Sequence, residues 1–195
     1  MWNKALVPST PRGRLFIVSA PAGAGKTTLV RRLVQTFPAI VQVPSVTTRP
    51  MRTGEADGID YLFVSKEEFE RRGAAGEFLE QIELHGHQYA TSKQEIEKKR
   101  SSGCHVVLVI DTRGALSLKK EPDAVLIFVK APIEVLKRRL IERGTEDEPT
   151  IQRRIQWAER ELADESQFQY SIVNDRLDDA FDILASIVVA ECHKV

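Results

Sequence analysis

Cysteine is nearly missing from this chain: two among 195 residues, Cys104 and Cys192, far apart and in no Cys-x-x-Cys pair. That excludes a disulfide scaffold and a thiolate zinc site, and makes a reducing compartment the expectation. Net charge is missing as well, since 28 Lys and Arg are balanced by 28 Asp and Glu. A neutral chain carries no footprint of non-specific nucleic-acid or anionic-membrane binding. No apolar run is long enough to cross a bilayer. The stretch Met1–Gly13, with Pro8 and Pro11, lacks the sustained apolar region of a signal peptide. A soluble cytoplasmic protein with no nucleic-acid or membrane partner is the expectation. Internal repeats and low-complexity segments are absent too. Histidine is scarce, and the one close pair, His85-Gly-His87, has no further Cys or His nearby. It reads as a solvated turn rather than a metal site.

What is present suits one compact α/β domain with a sizeable core: 42% of the residues are hydrophobic. Apolar runs and helix-period segments alternate. Extended pieces are expected at 14–20, 40–43, 61–64, 77–84, 88–90, 105–111, 124–130 and 170–173. Helices are expected at about 26–37, 66–72, 92–102, 132–143 and 150–167, with a closing one that carries Leu177, Phe181, Leu184, Ile187 and Val188 on one face. Ser65 and Ser92 sit where N-caps belong, and Ser92 with Glu95 makes a capping box. Pro132 opens a helix that Gly144 ends, and Thr145–Pro149 reads as an acidic loop. Strands alternating with helices predict a parallel sheet covered on both faces. Residues 14–44, 93–141 and 169–195 make that core. Residues 45–92 read as an inserted β-rich subdomain, and 142–168 as a charged helical lid. Cys104, opening an apolar strand, reads as core.

The apolar strand Leu15–Ser19 runs into Ala20-Pro-Ala22-Gly23-Ala24-Gly25-Lys26-Thr27-Thr28 and then a helix. Strand, glycine-rich turn and helix start are the context a phosphate-binding P-loop needs. Gly23 and Gly25 let backbone N–H groups turn inward onto a phosphate, and the helix adds its positive end. Lys26 would reach the terminal phosphates, and the Thr27 hydroxyl would ligate Mg²⁺. Ala20 stands where Gly usually opens the motif. With Ala accepted there, the pattern arises by chance in a chain of this length about one time in a hundred. A nucleoside triphosphate is the leading ligand.

Two groups of arginines point beyond simple hydrolysis. Arg49 and Arg52 lie in a loop behind Ser45, Thr47 and Thr48 and suit a second phosphate, which a guanidinium fork binds bidentately. Arg139, Arg143 and Arg154 lie in or beside the lid, where arginines folded over a transferring phosphoryl group stabilise its charge. Arg138, Arg153 and Arg160 read as solvated, Trp157 as packing, and Lys98-Lys-Arg100 as cations suited to a helix C-terminus.

The segments Ser45-Val-Thr-Thr-Arg-Pro-Met-Arg-Thr-Gly-Glu55 and Asp57-Gly-Ile-Asp-Tyr-Leu-Phe-Val64 resemble the signature of the guanylate kinases, which move phosphate from ATP to GMP. Glu77-Phe-Leu-Glu80, Tyr89-Ala-Thr91, Arg143-Gly144 and Ile172-Val-Asn-Asp175 follow in that family's order, so the resemblance runs from about Arg14 to the C-terminus. It implies a P-loop NTPase fold with 45–92 as the GMP-binding subdomain, Mg²⁺ as cofactor, and ATP and GMP as substrates. By the same resemblance Arg49, Arg52, Tyr61 and Tyr89 hold the GMP phosphate, and Ser45 and Thr91 contact guanine O6. Glu80 accepts from guanine N1–H and the 2-amino group. Two adjacent donors match a carboxylate and reject adenine, by ~10⁴ or more when such a site is buried. The resemblance implies Arg139, Arg143 and Arg154 as phosphate clamps and Asn174 near the ATP base; Asp111, at the end of a buried strand and beside the P-loop if the sheet is wound as usual, would orient a Mg²⁺-bound water or Lys26.

The chain departs from the family at Val109, where an Asp directed toward guanine is usual, at Ala90, at Thr112-Arg113, and at Ala22, which replaces a P-loop Ser. Val109 keeps open a related kinase for another phosphorylated acceptor. A non-catalytic phosphopeptide-binding module is a further alternative, opposed by Lys26 and Thr27. The sequence does not choose between monomer and homo-oligomer.

Overall fold

The computed structural model describes residues 2–84, 86–143 and 147–194, apart from the Arg143 side chain. The expectations for His85, Gly144 and the Arg143 guanidinium lie outside the described residues. In chain order the elements are β1 (Leu15–Ser19), α1 (Lys26–Thr36), β2 (Ile40–Gln42), β3 (Ser45–Thr47), β4 (Tyr61–Phe63), α2 (Lys66–Ala74), β5 (Phe78–Leu84) and β6 (His87–Ser92). There follow α3 (Lys93–Ser101), β7 (His105–Ile110), α4 (Thr112–Ser117), β8 (Ala124–Lys130), α5 (Ile133–Arg143), α6 (Glu148–Ala163), β9 (Tyr170–Val173) and α7 (Leu177–Cys192).

Five strands form a parallel sheet in the order β2-β7-β1-β8-β9. Strand β1 is central and wholly buried, which is why it reads as an uninterrupted apolar run. Side chains alternate between the faces. Phe16, Val18, Val107 and Ile127 pack with Leu29 and Leu33 of α1, Leu136 of α5, Ala158 of α6 and Phe181 and Leu184 of α7. Leu15, Ile17, Val106, Leu108 and Leu126 face the other way, onto Ile96 of α3 and Ala115 of α4. The second sheet, β4-β3-β6-β5, is mixed, with β3 parallel to β4 and antiparallel to β6. It has its own small core of Val46, Phe69, Phe78 and Ala90, in which the rings of Phe69 and Phe78 lie 4.8 Å apart.

Both serine caps form: Ser65 Oγ accepts from Glu68 N and Ser92 Oγ from Glu95 N. Three elements differ from the sequence expectation. Ser45–Thr47, expected as the start of a polar loop, is a strand, because Tyr61–Phe63 and β6 supply partners on both its edges. Thr112–Ser117 forms a short helix capped by the Asp111 carboxylate, which accepts from Gly114 N at 2.8 Å. Helix α6 begins at Glu148, inside the expected acidic loop: Asp147 caps it, and Pro149 is tolerated in a first turn whose N–H groups lack intrahelical partners anyway. It ends at Ala163, and the expected remainder to Gln167 is a 3₁₀ turn over Glu165–Gln167. Among the described residues no helix is long and apolar enough to cross a membrane.

Candidate active site

The P-loop leaves the sheet where Ser19 of β1 registers with Ile110 of β7. The chain passes from sheet into turn there, at the carboxyl edge where parallel α/β sheets bind ligands. Gly23 and Gly25 have φ of +85° and +87°, the left-handed region that only glycine enters freely. At Gly25 space is a second constraint, since a Cβ would lie 2.4 Å from Asn174 Nδ2. Gly25 caps α1, Ala20 and Ala24 are buried, and Ala22 is half-buried. Thr27 and Thr28 are exposed in the first turn of α1. Lys26 Nζ donates to Ala20 O at 3.2 Å, which folds the lysine stem back over its own loop.

Asn174 follows β9 and is buried at 2% exposure. Its Nδ2 donates to Ala24 O at 2.7 Å, and among the described residues its Oδ1 has no hydrogen-bond partner. The side chain expected near the ATP base therefore also braces the P-loop backbone.

The second sheet gathers the residues expected around a nucleoside monophosphate. Glu80 of β5 is 9% exposed and Thr91 of β6 is fully buried, and Thr91 Oγ1 donates to Glu80 Oε1 at 2.7 Å. Glu80 Oε2 is buried without a partner among the described residues. Burial pushes the Glu80 carboxyl up from 4.5 to about 7, against the pull of the Thr91 hydroxyl and with help from the Asp111 charge. Ser45 is buried on β3. A short way along the same sheet, Arg49 lies 5.1 Å from the ring centre of Tyr61 and 5.6 Å from that of Phe63. The rings of Tyr61 and Tyr89 meet edge-on at 6.1 Å. Burial pushes the Tyr61 hydroxyl up.

Glu55, to which the sequence reading assigned no role, completes this cluster. It accepts from Arg49 Nη2 at 2.8 and 3.0 Å and from the backbone N–H of Arg52 at 2.9 Å. Burial works to raise the Glu55 carboxyl, but Arg49 and the Arg52 N–H outweigh it and hold it below the ordinary carboxylate range. Arg52 itself is exposed.

The alternation of β7 corrects the side on which the family resemblance placed position 109. Val109 packs against the core cluster that also holds Val18, Ala20 and Ala24, so it faces the P-loop side and not the Glu80 side. The carboxylate beside Glu80 is Asp111: a Cβ on Gly114 would meet Asp111 Oδ1 at 3.1 Å and Glu80 Oε2 at 3.2 Å. Asp111 Oδ1 is bound to Gly114 N, and its Oδ2 lies 3.6 Å from Arg113 Nε.

On the other side of this corner stands Glu161 of α6, which the sequence reading passed over. Thr112 Oγ1 donates to Glu161 Oε1 at 3.3 Å and lies 3.4 Å from Ser19 Oγ. Burial pushes the Glu161 carboxyl up, while the nearby Lys26 ammonium draws it back. Its spacing from Arg154 and from the fully buried Ala158 puts all three on one face of α6, a signal available in the sequence. Arg139 of α5 donates from Nη2 to Asp175 O at 3.3 Å, and its Nη1 is buried without a partner among the described residues.

A family model described as guanylate kinase matches residues 12–191. A guanylate kinase of Protochlamydia amoebophila is 49% identical over 185 residues, 94% of each chain. That of Chlamydia caviae is 48% identical over the whole of this chain and 98% of its own length. That of Symbiobacterium thermophilum is 43% identical over 95% of this chain and 89% of its own. A crystal structure of guanylate kinase from Anaplasma phagocytophilum superposes with a TM-score of 0.80 at 31% identity, covering 95% of this chain and 89% of that one. A P-loop and a separate carboxylate-and-arginine pocket on a second sheet thus occur in a chain that matches these enzymes nearly end to end, and the chain belongs to the guanylate kinase family.

Proposed function

We propose that the protein transfers the γ-phosphoryl group of ATP to GMP in a Mg²⁺-dependent reaction that yields ADP and GDP, as a step of purine nucleotide recycling. The observation that carries the guanine assignment is Glu80: a buried carboxylate with Oε1 held by Thr91 and Oε2 left without a partner among the described residues. Guanine offers two adjacent N–H donors, N1–H and the 2-amino group, and Glu80 offers acceptors to match. Ser45 and Thr91 supply hydroxyls for O6. Asp111 stands beside Glu80 as a second carboxylate on the guanine side, a role the family resemblance had placed at position 109.

Arg49, Arg52, Tyr61 and Tyr89 take the GMP phosphate. Glu55 now engages the Arg49 fork and the Arg52 backbone, so a dianionic phosphate competes with a single carboxylate for those donors. The backbone from Ala20 to Gly25 and the first turn of α1 hold the ATP phosphates, with Lys26, Thr27 and Thr28 contributing side chains. Asn174 keeps that backbone in shape. Residues 45–92 form the GMP-binding subdomain. Residues 142–168 form a lid that brings Arg154 and Arg143 over the transferring group, joined by Arg139.

The donor set fits magnesium. Thr27 would offer a hard oxygen beside the phosphates, and the Glu161 carboxylate, bound by Thr112 near the end of β1, would accept a hydrogen bond from bound water; Mg²⁺ at nucleotide sites takes one or two protein oxygens with phosphates and water. The ion would neutralise charge on the phosphate oxygens. The chain's own residues do the rest: they align the GMP phosphate oxygen with the γ-phosphorus, spread positive charge over the oxygens, and exclude water that would otherwise hydrolyse ATP. A phosphate oxygen is already a nucleophile near neutral pH, so no strong general base is needed. The two unpaired cysteines support a cytoplasmic location.

The test is a phosphotransfer assay with ATP and Mg²⁺, offering GMP, dGMP, AMP, CMP and UMP in turn. Transfer confined to guanine nucleotides is expected. Equal transfer to AMP would overturn the Glu80 pocket and keep the P-loop reading.

A further inference from the structure

Arginines of the core grip the second sheet at both of its edge strands, β4 and β5. Arg113 of α4 donates from Nη2 to Glu83 O of β5 at 2.6 Å. Arg31 of α1 donates from Nη2 to Oδ1 of Asp60, the residue before β4. The first contact lies on the strand of Glu80, and the second adjoins Tyr61, at the phosphate end of the pocket.

Asp60 closes a loop that is stitched to itself and to β4. Its Oδ2 accepts from Ala56 N at 2.9 Å, and its N–H donates to Ala56 O at 3.0 Å. Gly58 N donates to Tyr61 O at 2.8 Å, and Asp57 Oδ1 accepts from Phe63 N at 2.9 Å. Tyr61 in turn meets Tyr89 edge-on and lies beneath the Arg49 guanidinium. Loop, tyrosine and arginine are thus one connected piece. The Asp60 side chain is 13% exposed, so its carboxylate is aimed by the loop that holds it. Arg31 stands one turn after Thr27 on α1, and residues four apart share a helix face. The face that carries the Thr27 hydroxyl at the phosphate loop also carries the arginine that grips Asp60.

Apart from Asp111, every side chain assigned to GMP comes from residues 45–92, so their mutual arrangement is made within that subdomain. How the bound phosphate stands relative to the P-loop is decided by contacts between subdomain and core. Transfer is steeply sensitive to that alignment, since a misplacement of about 1 Å can cost about a hundredfold in rate.

We propose that the Arg31–Asp60 ion pair is a positioning contact for phosphoryl transfer: it sets the phosphate end of the GMP subdomain against the P-loop helix, and so aligns the acceptor oxygen with the γ-phosphorus while touching neither nucleotide. This deepens the reading of residues 45–92 as the GMP site and rests on it. An ion pair with one exposed partner shifts an equilibrium by up to about fivefold. Here that shift falls on the aligned arrangement and not on the affinity for GMP.

Arg31→Ala removes an exposed side chain from a helix surface, and Asp60→Asn removes the charge while keeping an oxygen for Ala56 N. Each is expected to slow single-turnover transfer, with both nucleotides saturating, by about threefold to fivefold. The GMP dissociation constant from calorimetry and KM for ATP should stay within about twofold of wild type. The double variant should transfer at the rate of either single one within about twofold, because one contact is lost only once. Arg31→Lys keeps the charge and should retain most of the wild-type rate. A wild-type rate in Arg31→Ala overturns the proposal. Losses that multiply in the double variant overturn it as well, since the two residues would then act separately. So does a GMP dissociation constant that rises in step with the loss of rate, which would make Asp60 a scaffold for Tyr61 alone. A wild-type enzyme that neither binds nor phosphorylates GMP overturns the reading of residues 45–92 and this proposal together, whereas normal wild-type turnover with an uncoupled pair overturns the proposal alone.

Discussion

If Glu80 takes the guanine as proposed, it sets a trade between stability and recognition that can be measured in both directions. Its carboxyl is raised from 4.5 to about 7, chiefly by burial, and a displacement of that size corresponds to about 3 kcal/mol. A raised carboxyl binds its proton more tightly in the folded chain than in the unfolded one. Its contribution to stability is therefore complete below pH 4.5 and lost as the pH rises through about 7. Guanine asks for the opposite state, because only the ionised carboxylate accepts two N–H donors. At pH 6 roughly one Glu80 in ten is ionised, so GMP binds roughly tenfold more weakly than at pH 8 on this account alone. Glu80→Gln removes the titration while keeping the shape. Without nucleotide at pH 8 the variant is expected to be more stable than wild type, by up to about 3 kcal/mol in urea unfolding. Its GMP affinity should be far lower, because an amide N–H then faces a guanine donor. The assay is calorimetric titration with GMP at several pH values between 6 and 8, in buffers of different ionisation enthalpy. The phosphate of GMP titrates in the same range, and the variant provides the subtraction. Wild type should release most of one proton more than Glu80→Gln near pH 6.5. Identical pH dependence in the two proteins would refute the argument.

Three further outcomes follow from the same geometry. Val109→Asp puts a carboxylate against the core cluster on the P-loop side; it should lower stability by about 1–3 kcal/mol and leave the kcat/KM ratio of GMP to IMP unchanged, read by urea midpoint and initial rates. Asn174→Ala withdraws the donor from Ala24 O, so stability should drop by about 1–3 kcal/mol and KM for ATP should rise while KM for GMP holds. His105 is fully buried, with Nδ1 accepting from Arg14 N at 3.0 Å and Nε2 against Pro8 O at 2.8 Å, an arrangement that needs the neutral ring. Burial holds its pKa below 6.5, so its contribution is present above pH 6.5 and lost as pH falls through the lowered value; thermal melts should show that decline in wild type and a flatter, lower curve in His105→Ala.

Most of the sheet and the whole P-loop were legible in the chain because their causes are local. A strand buried on both faces must be apolar throughout, as Leu15–Ser19 is, and a left-handed turn against a packed neighbour must be glycine, as at Gly25. Ser65 and Ser92 announced their helices because a cap is made within four residues. Ser45–Thr47 was hidden because its partners, Tyr61–Phe63 and β6, are distant in sequence and the segment itself is polar. The start of α6 was obscured by Pro149, which reads as a breaker unless it is known to fall in a first turn.

The chemistry divided in the same way. The residue types and their order were enough to expect a phosphate loop and a second phosphate site with Arg49 and Arg52, whereas Glu80 as a carboxylate for guanine came only from the family resemblance. Which carboxylate meets which partner was decided by the fold alone. The two-residue period of β7 sends Val109 to the P-loop face, and the turn beyond that strand leaves Asp111 beside Glu80. Glu161 meets Thr112 only because α6 packs Ala158 against the core, joining residues 49 positions apart. The physical reason is the range of the forces involved. Backbone geometry and capping act over a few residues and are written in the local pattern, whereas burial and charge act through space and exist only once the sheet and its covering helices have closed.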